Sequence, residues 1–171
     1  MEQASVVRAA IIVALAALLE AVLGPYLTFG FISPNLTLIA VVFAVSQMHD
    51  LQAVLLGFFG GILLDALGSD LFGVGALGGL LAGTLAVRAG AVRRKGAERV
   101  MLAQAAGFAV AAYDVMGLTA RWLAGLSVPA LGEYAVGGVL LDAVLNALLA
   151  YLIGGWLLKT VNTKPRSWEG R

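Results

Sequence analysis

The sequence predicts an all-α integral membrane protein built as a bundle of six transmembrane helices. This prediction depends on the composition, on a series of apolar segments and on the placement of basic residues. Of the 171 residues, 61% are hydrophobic and only 12% are charged. Charged residues make up about 25% of an ordinary soluble chain, so half of the usual solvated surface is absent. We expect one membrane domain, residues 1–161, and a polar cytoplasmic tail, residues 162–171.

Hydropathy divides the chain into six apolar spans. A helix perpendicular to the bilayer needs about 20 apolar residues, and five of the segments approach or exceed that length. The second is shorter, so it must extend into its flanks, thin the bilayer or be shielded by its neighbours. Pro34 precedes it and is expected at the helix start, where a missing N–H is harmless. The predicted spans are Val6 to Leu23, Asn35 to Gln47, Leu51 to Leu67, Leu71 to Val87, Val100 to Leu123 and Tyr134 to Leu158.

The basic residues predict the orientation of the bundle. Lys and Arg are concentrated in the loop from Arg88 to Arg99 and after the last span, and the positive-inside rule places such segments in the cytoplasm. An even number of spans puts the amino terminus on that side as well, together with Arg8. Ten of the eleven basic residues then lie in the cytoplasm, and only Arg121 lies outside. Five or seven spans would separate the two basic clusters, so we expect six spans and cytoplasmic termini.

The sequence offers no evident site for enzyme chemistry. It contains no cysteine, and His49 is its single histidine, whereas a metal site needs a cluster of ligands. Nucleophile elbows, phosphate loops and dinucleotide-binding glycine patterns do not occur. Tyr113-Asp114 resembles one motif of intramembrane aspartyl proteases, but the residues before Asp142 lack the glycine context of the second motif. We therefore expect no catalytic activity, no cofactor and no metal.

Polar residues inside the predicted spans are the candidate functional positions. A carboxylate in a span costs about 2.5 to 3.5 kcal/mol unless it is paired, solvated or protonated. For Asp65, a structural role in capping a turn or bonding a neighbouring helix is as well supported as a binding role. Asp142 and Asn146 are four residues apart and share a helical face, and Asp114 is expected at a similar depth. The full set is Glu20, Asp65, Asp114, Arg121, Asp142 and Asn146.

One basic residue is predicted on the outer side, close to two acids. Arg121, Glu20 and Asp65 each lie within a few residues of the outer ends of their spans. Pairing Arg121 with one of the two acids would neutralise both charges. Purely additive losses of folded yield in single and double alanine variants would argue against such a pair.

Five glycines of the third and fourth spans recur at intervals of four. In lipid, a stripe without side chains lets helix backbones approach closely and gain dispersion contact. Two interpretations remain open: the glycines pack these helices together, or they form a seam for another membrane protein. In the second case, Leu at Gly61 or Gly79 would weaken partner capture more than it lowers the protein's abundance. The five are Gly57, Gly61, Gly75, Gly79 and Gly83.

Three segments resemble the family of the rod shape-determining protein MreD. They are the stretch Ser33–Leu36 ahead of an apolar span, the stretch Gly57–Asp65 before a short turn, and Leu140–Leu149 in the last span. The sequence departs from that family at Asn35, where an acidic residue is frequent. It also departs at Gln47–Asp50, where a basic turn is expected.

The resemblance implies a non-enzymatic subunit of the bacterial elongation machinery in the inner membrane. Such a protein would bind MreC, a single-span membrane protein, and link MreB to RodA and a penicillin-binding protein during peptidoglycan synthesis. No nucleic-acid partner is implied.

The same resemblance supplies an alternative function. The family's fold is similar to the six-helix substrate-binding subunits of energy-coupling-factor vitamin transporters. Such a subunit would hold its ligand near the outer face, where Glu20, Asp65 and Arg121 could point. The outer loops are poor in pocket-forming polar residues, which disfavours this alternative.

Overall fold

The computed structural model describes residues 2–28, 32–68, 71–91, 97–128 and 134–161. Within these ranges the chain forms six helices. The sixth begins as a π-helical segment and continues as an α-helix. The predicted tail and the basic residues 93–95 lie outside the described ranges. The helices are α1 (Glu2–Leu27), α2 (Leu36–Val45), α3 (Asp50–Leu67), α4 (Val74–Gly90), α5 (Ala97–Leu123) and α6 (Tyr134–Val139 followed by Leu140–Val161).

The prediction of six full spans is only partly right. In the described part of the chain, four helices are long and apolar enough to cross a membrane, namely α1, α3, α5 and α6. The other two are shorter, with 10 residues in α2 and 17 in α4. At 1.5 Å per residue, α2 is about 15 Å long, and the hydrocarbon core of a bilayer is about 30 Å thick. Thus α2 does not cross a bilayer by its own length.

Helix α2 lies at the centre of the bundle. Every residue from Thr37 to Val45 is buried, and α2 packs against all five other helices. Phe43 of α2 lies against Gly154 of α6, and Val41 lies against Gly60 of α3, so glycines make room for its larger side chains. The short predicted span is therefore shielded by its neighbours, which is one of the accommodations that its length required.

Around the large side chains of α2, the other helices bury mostly small residues and expose large apolar ones. The buried faces of α4 and α5 are rich in alanine and glycine. The outward faces of α1 and α6 carry large exposed side chains such as Ile11, Leu15, Val144 and Leu148. Lipid tails are as apolar as leucine, so exposed leucines cost nothing in a bilayer, and small residues allow the helices to pack closely. This distribution is that of a membrane protein.

The five spaced glycines lie, buried, at the contact between α3 and α4. A Cβ atom on Gly61 would overlap the carbonyl oxygen of Gly75, and one on Gly79 would overlap that of Gly57. Gly83 continues the contact toward the start of α3. The contacts therefore correspond to helix packing within the chain. Because this face is occupied within the chain, we expect leucine at Gly61 or Gly79 to act first on the fold. The selective loss of partner capture stays a prediction.

Candidate functional site

Asp65, near the end of α3, caps the start of α4. Its Oδ1 atom accepts the backbone N–H of Gly75 at 2.7 Å, and its Oδ2 atom accepts those of Gly73 at 2.9 Å and Ala76 at 3.0 Å. The first N–H groups of a helix have no partner within the helix, and the helix dipole favours a negative charge there. Gly73, the N-cap residue, has φ +105° and no capping side chain. A carboxylate from the preceding helix takes the place of that side chain.

The start of α2 is capped by two side chains. Asn35 is the N-cap residue, and its Oδ1 atom accepts the N–H of Leu38 at 2.9 Å. Glu20 Oε2, from α1, accepts the N–H of Thr37 at 2.7 Å. Pro34 therefore precedes the N-cap, whereas the sequence placed it at the first helical position. Asparagine is among the preferred N-cap residues, since its side chain satisfies an orphan donor of the first turn.

Asp142 and Asn146, both buried on α6, hold the non-helical backbone that leads into α2. Asp142 Oδ1 accepts the N–H of Ser33 at 2.9 Å, and Asn146 Oδ1 accepts that of Asn35 at 2.7 Å. Asn146 Nδ2 donates to the carbonyl oxygen of Ser33 at 3.1 Å. Irregular backbone inside a membrane protein must find such partners, because the bilayer core holds no water to bind it. The shared helical face of Asp142 and Asn146 thus serves the connection between α1 and α2.

Asp114 and Arg121, the remaining two candidates, lie on α5. The side chains of Asp114 and Asp142 meet at one level of the bundle, and a hydrogen bond between them requires that one of the two carboxyl groups carries a proton. Arg121 is exposed in the last turn of the helix. Both oxygens of Asp65 accept backbone N–H groups, and Glu20 also accepts one, so each acid has partners without Arg121. A pairing with Arg121 stays a prediction.

A cavity of about 470 Å³ opens beside the capped ends of α2 and α4. Glu20, Asn35 and Asp65 contribute to its polar wall, and Tyr113 of α5 also lines it. Its volume is within the range of about 300 to 1,000 Å³ that is typical of small-molecule pockets. Of the six polar candidates, only Glu20 and Asp65 are among the described residues that line this cavity.

The roles of Asn35 and Gly73 were not predicted from the sequence. An asparagine that follows Ser-Pro and precedes an apolar run is a recognisable N-cap signal, and the pattern could have located the start of α2. Gly73 carries no such signal, because its capping partner comes from another helix.

One buried hydroxyl in this network, Thr37 Oγ1, lies beside the Glu20 carboxyl but lacks the geometry of a hydrogen bond to any described residue. We expect Thr37→Val to leave the free energy of unfolding within about 1 kcal/mol of wild type or to raise it, because valine keeps the shape and removes an unsatisfied group. Thermal unfolding in detergent measures the change. Thr84→Val is the matched control, since Thr84 Oγ1 donates to the Leu80 carbonyl at 2.9 Å. A larger loss for Thr37→Val than for this control would contradict the expectation.

The fold and the site together define a class of protein. A chain with large exposed apolar side chains, four helices long and apolar enough to span a bilayer, and buried polar groups that bond its own backbone is a multi-pass integral membrane protein. In the ranges that the structure covers, no group of three or more His, Cys, Asp or Glu residues could hold a metal ion.

Comparison with known families identifies the chain more closely. The model of one family, described as rod shape-determining protein MreD, matches residues 3–161. The chain therefore belongs to the MreD family, which is a family of shape-determining structural proteins and is not known for enzymes. No curated protein and no solved structure matches the chain. The expected likeness to vitamin-transporter subunits stays a prediction.

Proposed function

We propose that the chain is a non-enzymatic scaffold of the bacterial cell-elongation machinery. In this proposal it lies in the inner membrane with both termini in the cytoplasm, binds an MreC-like single-span protein, and links MreB to RodA and a penicillin-binding protein during peptidoglycan synthesis. The observation that carries the proposal is the family match over residues 3–161.

The use of the intramembrane polar residues supports a scaffold. Glu20, Asp65, Asp142 and Asn146 all bond the chain's own backbone, which explains their presence in apolar helices without invoking a reaction. The same bonds fix the short helices α2 and α4 in place. A stable bundle with an apolar exterior is what a membrane adaptor needs.

The outward faces of α1 and α6 are the surfaces that a single-span partner helix would contact. Both carry rows of large exposed apolar side chains, and the glycine seam is already occupied within the chain. Tryptophan at Ile11 on α1 or at Leu148 on α6 would alter one face without entering the core, since both positions are about half exposed. Loss of partner capture in one variant at normal abundance would identify the contact face.

Affinity purification from a rod-shaped bacterium tests the scaffold directly. We expect the tagged protein, extracted in mild detergent, to co-purify with a single-span membrane protein that mass spectrometry can identify. Depletion of the protein should round the cells, and a wild-type copy should restore their length-to-width ratio. An unrelated tagged multi-pass protein is the control. Normal cell shape after depletion, together with no captured single-span protein, would contradict the proposal.

The cavity beside Glu20 and Asp65 favours a second candidate, a substrate-binding subunit of an energy-coupling-factor vitamin transporter. Its position near the predicted outer face is where such a subunit would hold a ligand. This candidate predicts a small molecule released on denaturation of the purified protein and co-purification with a pair of ATPases. The scaffold function predicts that neither ATPase co-purifies.

A further inference from the structure

We propose that the cavity between α1, α3 and α5 is a binding site for a primary ammonium group on an alkyl stem. The ammonium group could belong to the headgroup of a membrane aminolipid or to a free amine. This site is additional to the scaffold function and does not depend on it.

The cavity has a mouth at the periphery and a polar wall deeper inside. Pro25, Thr28 and Gly68, which line it, are exposed, whereas Asn35 and Asp65 are only 5% and 8% exposed. Glu20 lies seven residues before the end of α1, about 10 Å below that end at 1.5 Å per residue. A ligand that enters at the membrane surface would therefore bring its polar end to the acids.

The charge around the cavity favours a cation. Two carboxyl groups line it, and no lysine or arginine is among the described lining residues. Each acid binds a helix start, and a helix start carries about half a positive charge. When both acids are ionised, two carboxylates against two helix starts leave about one negative charge. A single cation balances that charge, whereas an anionic ligand would be repelled.

Hydrogen-bonding capacity selects an ammonium group that carries hydrogens. An ionised carboxylate is an acceptor only and offers about four lone-pair positions, so Glu20 keeps capacity beyond its contacts with Leu36 and Thr37. A primary ammonium supplies three N–H donors, and a trimethylammonium supplies none. The ring of Tyr113 and the apolar side chains of Ala17 and Leu64 complete the lining. Apolar side chains accommodate an alkyl stem.

Thermal unfolding in nanodiscs tests the proposal, because a ligand that binds only the folded state raises the unfolding midpoint. The reference is the wild-type protein in phosphatidylcholine nanodiscs. One arm replaces a third of that lipid by phosphatidylethanolamine, and the other adds millimolar propylamine. We expect the midpoint to rise in at least one arm and to stay unchanged with tetramethylammonium chloride. A rise with the lipid alone indicates a headgroup site, and a rise with propylamine indicates a site for free amines. No rise in either arm overturns the proposal.

Glu20→Gln separates ligand binding from folding. Glutamine keeps an oxygen that can accept the N–H of Thr37 but lacks the charge, so we expect amine affinity to fall at least about tenfold in a variant that still folds. Glu98→Gln is the control, because Glu98 bonds Gln47 beyond the cavity and its loss should leave the midpoint shift intact. An undiminished shift in Glu20→Gln overturns the proposal. Partner capture by the same variant is scored separately, so failure of the scaffold and failure of this site are distinguishable.

Discussion

Asp65→Ala is expected to lower the free energy of unfolding by about 3 kcal/mol or more, because each unsatisfied buried N–H costs about 1 to 3 kcal/mol. Three backbone donors lose their acceptor in this variant, those of Gly73, Gly75 and Ala76. The start of α4 then has neither a side-chain cap of its own nor the carboxylate from α3. Chemical unfolding in detergent and the yield of monodisperse protein measure the loss.

Two further variants define the role of the Asp65 carboxylate. Asp65→Asn keeps one acceptor oxygen in place and should lose less stability than the alanine variant. Asp50→Ala removes an exposed acid from the first turn of α3 and should cost no more than about 1 kcal/mol. Equal stability of Asp65→Ala and Asp50→Ala would contradict the capping role.

Gly61→Ala is expected to destabilise the protein by about 1 to 3 kcal/mol, the usual cost of overpacking a close contact. The added Cβ atom would overlap the carbonyl oxygen of Gly75 and crowd the Cα atom of Ala76, so α3 and α4 must separate. Backbone atoms cannot rotate away as a flexible side chain does. Unfolding in detergent measures the effect.

Gly117→Ala is the matched control for Gly61→Ala. A Cβ atom there has its nearest neighbour, Val74 Cγ1, at 3.8 Å, which is ordinary contact. In a helix interior, alanine is favoured over glycine by about 0.5 to 1 kcal/mol, so this variant should be as stable as wild type or more stable. The two substitutions therefore have opposite expected signs. Similar stability of both variants would show that the contact between α3 and α4 tolerates a side chain.

The larger substitution Gly61→Leu distinguishes the two interpretations of the spaced glycines, which are packing of α3 against α4 and contact with another membrane protein. We expect folded protein and captured partner to fall together, so that capture per folded molecule stays constant. Quantitative blotting of the membrane fraction beside the purified complex measures that ratio. A selective fall in capture at normal abundance would instead support a seam for another protein.

The long helices could be predicted from hydropathy, but the short central helix α2 could not. The predicted span Leu51 to Leu67 differs from α3 by one residue at its start. The segment Asn35 to Gln47 was predicted as a span. An apolar run of that length has the same sequence pattern whether it faces lipid or lies inside a bundle. Its burial depends on contacts with all five other helices, which no local pattern contains.

The residues of the polar site could be predicted from the sequence, but their hydrogen-bond partners could not. The shared face of Asp142 and Asn146 followed from their spacing of four, and the cost of a carboxylate in lipid identified Asp65 and Glu20. Their partners are backbone N–H groups at the starts of other helices. Every residue except proline carries such a group, so residue identity does not mark which of them will lack a partner.

The bonds from α6 to the entrance of α2 have a consequence for biogenesis. Ser33 and Asp142 are 109 positions apart, so the ribosome synthesises the segment that contains Ser33 long before the helix that contains Asp142. Until α6 enters the membrane, the backbone at Ser33 and Asn35 lacks the acceptors it has in the finished protein. Chains truncated after α5 should therefore be recognised as incomplete and degraded, which makes the last helix the step that commits the newly made protein to its mature form.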